Sequence, residues 1–118
     1  MAFNKTIYDI KVDQFDYGVN LKFNLTNPEG TTFDLTGYDA EFILKANKDD
    51  DDSKAIANVK PTLEEGVITV PIDEKMASCP VGKYYYAIRL IGNGYVNTII
   101  QAKYIIENNT FESGVKNG

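Results

Sequence analysis

Histidine and tryptophan are missing from this chain of 118 residues, and cysteine occurs once, at Cys79. Each absence removes a class of function. Without histidine there is no imidazole to act as general base or to activate a nucleophile, and no Cys/His cluster for zinc. A lone cysteine cannot close an internal disulfide, so the fold rests on its core and its backbone ladders. Cys79 precedes Pro80 in DEKMASCP, and with no histidine to activate it the thiol reads as inert and partly buried. No glycine-rich phosphate loop is present, and no apolar run approaches the roughly 20 residues of a membrane span. The opening MAFNKTIYDI has no long apolar stretch of the secretory kind, so synthesis in a cytoplasm is expected.

What is present suits one folded domain. Hydrophobic residues make up 43% and charged residues 25%, both near the globular average, and a chain of this size forms one core rather than two. Twelve basic residues against 17 acidic ones leave a formal charge of -5, which gives no attraction for nucleic acid or for anionic lipid. Residues 1–107 are expected to form a β-sandwich domain and residues 108–118, polar and glycine-tipped, a tail or linker.

The apolar pattern has a period near 2 in almost every segment, which sets the fold class. In residues 6–12, Tyr8, Ile10 and Val12 alternate with Asp9 and Lys11. In residues 18–25, Val19, Leu21, Phe23 and Leu25 alternate with Asn20, Lys22 and Asn24, before Asn27-Pro28-Glu29-Gly30 turns the chain. Tyr38, Ala40, Phe42, Leu44 and Ala46 mark a further strand, Ile56 and Val59 a weaker one, and Ile68, Val70 and Ile72 a firmer one. Pro71 places that last strand near an edge or a bulge. DEKMAS holds helix formers, but Pro80-Val81-Gly82 stops it after about one turn. Two long strands, residues 83–91 and 95–106, are joined by Gly92-Asn93-Gly94, a tight hairpin turn. Seven to eight short strands with turn signals between them predict an all-β, immunoglobulin-like antiparallel β-sandwich.

The stretch GVNLKFNLTNPEGTTFDLTGYDAEFILK, with GVITVPID and PVGKYYYAIRL further on, resembles the N-terminal domain of siphophage upper baseplate proteins. The resemblance runs in order through residues 6–107 and rests on an alternating strand, a turn, and a DLTG segment entering a second alternating strand. It implies a virion structural protein of the tail tip of a phage infecting Gram-positive hosts, made in the host cytoplasm. In that family the domain packs on the central baseplate and the chain continues outward to receptor-binding parts. This sequence stops at Gly118 without a long helix or head, as an excised domain or a short relative would.

Read physically, Asp34-Leu35-Thr36-Gly37 is a corner: Asp34 and Thr36 bond the nearby backbone, Leu35 anchors inward and Gly37 relieves a steric constraint. Asp49-Asp50-Asp51-Asp52 lacks the glycine and glutamate offsets of a calcium loop and reads as a solvated acidic connection. No metal and no cofactor are expected.

Tyr84 and Tyr86 should pack inward with Ile88 and Leu90, leaving Tyr85, Ala87, Arg89 and Ile91 outside. On the last strand Val96, Ile100, Ala102, Tyr104 and Ile106 should share one face, and Tyr95, Ile99 and Ile105 the other with Asn97, Gln101 and Lys103. A sheet apolar on both sides is expected to be covered by other protein. The candidate interface is therefore Tyr85, Arg89, Ile91, Tyr95, Ile99 and Ile105, with other baseplate or tail proteins as partners and a homo-oligomer in the assembly. A carbohydrate-binding module stacking sugars on Tyr85 or Tyr95 is the alternative. A carboxylate glycosidase comes last, since a domain this small offers little room for a cleft.

Overall fold

Alternation becomes strand along most of the chain, and the computed structural model describes residues 8–111. Eight strands follow in order: β1 (Ile10–Asp13), β2 (Asn20–Asn24), β3 (Tyr38–Lys45), β4 (Ala57–Val59), β5 (Thr62–Glu64), β6 (Val67–Pro71), β7 (Gly82–Gly92) and β8 (Tyr95–Glu107). A single helical turn, α1 (Glu74–Ala77), links β6 to β7 and is capped by Asp73, whose carboxylate accepts from Met76 N at 2.9 Å. Thr6 and Ile7, the start of the expected first strand, and residues 112–118 of the expected tail lie outside the described residues.

The strands form two sheets, β1-β8-β7-β3-β4 and β2-β6-β5. Taking β2 as strand B, β3 and β4 as C and C′, β5 as D, β6 as E, β7 as F and β8 as G, this is the immunoglobulin connectivity with C′ on the GFC sheet. Pairing is antiparallel except at one edge, where β1 runs parallel to β8 from Ile10↔Tyr104 to Asp13↔Glu107. Pro71 ends β6 opposite Asn20, beyond the reach of β5, which is how a central strand tolerates a residue with no amide proton.

Immunoglobulin domains of antibodies pin their sheets with a B–F disulfide against a tryptophan on C. Here aromatic rings fill that place. Phe23 of β2 meets Tyr86 of β7 at 6.1 Å between centroids, and Phe42 of β3 stacks on Tyr86 at 5.6 Å. The Tyr86 hydroxyl donates to Tyr8 O, so the ring is buried without an orphaned polar group. Two residues earlier, Tyr84 donates to Pro80 O at 2.5 Å, the tyrosine corner of this fold. Around the pin, Leu44, Ile68, Val70, Met76, Ile88, Leu90, Tyr104 and Ile106 complete a dry core, and Tyr104 Oη donates to Met76 O at 3.1 Å, tying α1 to β8.

The DLTG segment forms the predicted corner. Thr36 N donates to Asp34 Oδ1 at 2.9 Å, Leu35 is buried, and Gly37 has φ +84°. Its backbone packs on the end of the β7–β8 hairpin so closely that a Cβ on Gly92 would collide with the Gly37 carbonyl.

Candidate functional site

The outer face of the five-stranded sheet is set by register. Reading across β3, β7 and β8, its rows are Asp39–Ile91–Val96, Glu41–Arg89–Thr98, Ile43–Ala87–Gln101 and Lys45–Tyr85–Lys103. A fifth row continues over β7, β8 and β1 as Lys83–Ile105–Lys11. Every row but one carries an apolar side chain, and Ile43, Tyr85, Ala87, Ile91 and Ile105 are half-buried while Val96 is 59% exposed. Around Tyr85 and Ala87 the face sinks into a depression of about 420 Å³ lined also by Ile43, by Lys45, Lys48 and Lys103, and by Asp9.

Four of the six predicted interface residues stand on this face: Tyr85, Arg89, Ile91 and Ile105. Two do not. Ile88 pairs with Ile100 but Arg89 pairs with Thr98, so Ile99 is the extra residue of a β-bulge, and it is buried at 2% exposure beside Ile100. Beyond the bulge the faces exchange. Tyr95 turns to the inner side, its ring 5.6 Å from Tyr38, and Val96, expected inside, comes out. Burial, and then the neighbouring Tyr38 hydroxyl, push the Tyr95 phenol up to about 12. Tyr95 therefore does not share the face of Tyr85. Val96 is the surface residue that strict alternation missed; the adjacent Ile99 and Ile100 were its only signal.

Charge on the face is ordered. Arg89 and Glu41 pair at 3.0 Å in the second row, and Lys45 reaches Asp52 at 2.6 Å. That contact, by hydrogen bond and then by charge, holds the Asp52 carboxyl below the usual carboxylate range. The acidic run is otherwise used locally, with Asp50 O accepting from Lys45 Nζ and the Asp50 carboxylate accepting from Asn47 N. Among the described residues no three acidic, cysteine or histidine side chains converge as metal ligands. Cys79 is half-buried, its thiol pushed up by burial, with Sγ 3.4 Å from Lys75 O. Such a thiol is a poor nucleophile at neutral pH. No helix among the described residues is long and apolar enough to cross a membrane.

The fold and this face define an immunoglobulin-like β-sandwich with a mixed apolar and charged sheet surface. No family model matches the chain, and no curated protein matches it in sequence.

Proposed function

We propose that this chain is a non-catalytic structural module of a phage baseplate, joining tail-tip proteins through the outer face of its five-stranded sheet. The observation that carries the reading is the apolar side chain recurring along that face, from Val96 and Ile91 through Ala87 and Ile43 to Tyr85 and Ile105. An antiparallel sheet whose outer side faces only water alternates to polar residues there. This one sets six apolar side chains among its charged and polar ones. Tyrosine and arginine, the types enriched at binding hot spots, both occur on this face at Tyr85 and Arg89. The resemblance of the DLTG region and of PVGKYYYAIRL to upper baseplate proteins supports the tail tip as the setting.

The test is co-expression of the chain with the products of neighbouring genes, followed by purification through a tag on the chain. Recovery of a stoichiometric complex with a tail-tip protein, lost in Ala87→Arg, is the expected result. A chain that binds none of them, or whose Ala87→Arg variant binds undiminished, overturns the proposal.

A further inference from the structure

One edge of the five-stranded sheet is open among the described residues, because β1 pairs only with β8. Gln14 N donates to Glu107 O at 2.8 Å, so Gln14, Val12 and Ile10 turn their amides and carbonyls to β8 while Lys11 and Asp13 turn theirs outward. The outward amides and Lys11 O have no partner among the described residues, and Asp13 O, which accepts from Asp16 N at 3.0 Å, keeps a second lone pair. Both side chains are exposed and outside any ion pair, and Asp13 stands beside Glu107 in the ladder with no cation paired to either. We infer that a second copy of the chain adds its own β1 to this edge, antiparallel about a two-fold axis at Val12, and so joins two five-stranded sheets into one. The contact uses the rim of the sheet rather than its outer face and does not depend on the role proposed above.

The register follows from which groups are free. A two-fold contact is isologous, so with the axis at Val12 each Lys11 faces the partner's Asp13 and each Asp13 the partner's Lys11. These are the residues whose amides and carbonyls point outward, and both become hydrogen-bonded pairs; Val12, whose own groups serve β8, falls at the non-hydrogen-bonded position between them. Opposite charges directly across two strands attract, and the incoming lysine also meets the Asp13–Glu107 pair. A lysine on a sheet edge ordinarily discourages pairing. Here Asp13, two residues on, makes the edge complementary to itself. The open edge of β2 has no such property, since its outward residues, Asn20, Lys22 and Asn24, offer a lysine and no acid. Tyr8 before β1 and Tyr17 after it are both exposed, and the axis carries Tyr8 to the end of the seam where the partner's Tyr17 stands.

Three variants of the full chain test it in sedimentation equilibrium at low salt, where the wild type is expected to dimerise at sub-millimolar concentration. Lys11→Asp and Asp13→Lys, each alone, should dimerise at least about tenfold more weakly, and an equal mixture of the two should recover dimer. Lys11→Pro removes an outward amide without touching the β8 ladder, so it should melt like the wild type and stay monomeric. Ala87→Arg, on the outer face, should dimerise like the wild type. In a mixture of chains labelled with light and heavy nitrogen, carbodiimide should join Lys11 of one copy to Asp13 of the other. A monomeric wild type, edge variants that dimerise undiminished, a mixture that gains nothing, a monomeric Ala87→Arg, or a cross-link that never joins light chain to heavy would each overturn the contact. So would Lys11 and Asp13 amides protected from hydrogen exchange at dilution, the sign of an edge filled by the chain itself.

Discussion

Tyr86, Ile88 and Leu90 on the inner side of β7 are sealed from water, while Tyr85, Ala87 and Ile91, each one position away, remain half-buried and Arg89 is exposed. The outer side interrupts its apolar residues with Lys83 and Arg89, which the inner side does not. What separates them further is company. The inner residues meet a second sheet across the Phe23–Tyr86–Phe42 rings, and the two most deeply buried tyrosine hydroxyls each find a carbonyl: Tyr86 on Tyr8 O and Tyr104 on Met76 O. The outer residues meet their neighbours in the sheet and the Asp9, Lys48 and Asp52 side chains at its margin. One side of the strand holds the fold together, and the other leaves apolar area open among the described residues.

The sharpest way to break this contrast is to cut the pin. Tyr86→Ala removes the ring that both Phe23 and Phe42 touch and should cost about 3–5 kcal/mol, read as a lowered urea midpoint. A smaller effect is expected at Tyr104→Phe, which strands Met76 O in the core at about 1–2 kcal/mol. The same two hydroxyls make the fold sensitive to alkali. Burial pushes both phenols well above their ordinary value of 10.0, so each contributes stability that is complete below that value. As pH rises past it the unfolded chain loses protons that the folded chain keeps, and stability falls. Thermal melts above pH of about 10 should decline steeply in the wild type and less so in Tyr104→Phe. The smallest effect belongs to the outer side. Val96→Thr should change monomer stability by no more than about 0.5 kcal/mol, and a larger loss, measured at dilution, would show that this side serves the fold after all.

Much of this architecture was legible in the sequence, because strict alternation in β3 and β7 assigns each side chain to a face before any contact is known. Asp34 to Gly37 was equally legible as a corner, since its residues act on their own backbone. Two features were not. The parallel pairing of β1 with β8 depends on where the chain returns in space, and nothing in IKVD encodes the direction of its neighbour. The bulge was only half written: β8 contains two isoleucine doublets, Ile99-Ile100 and Ile105-Ile106, and either could have absorbed an extra residue. Ladder register placed it at the first. Ile105 therefore keeps its predicted side, whereas Ile99 goes into the core and Tyr95 and Val96 trade places.

The parallel edge also has a mechanical consequence. The chain enters β1 beside Tyr104 and leaves β8 beside Asp13, so the incoming and outgoing segments depart from opposite ends of the same short ladder. Tension applied through them drags β1 and β8 past each other lengthwise. The slanted hydrogen bonds of a parallel pair then share the force and yield together, whereas a hairpin pulled at its open end is unzipped one bond at a time. A module so threaded resists stretching along its chain.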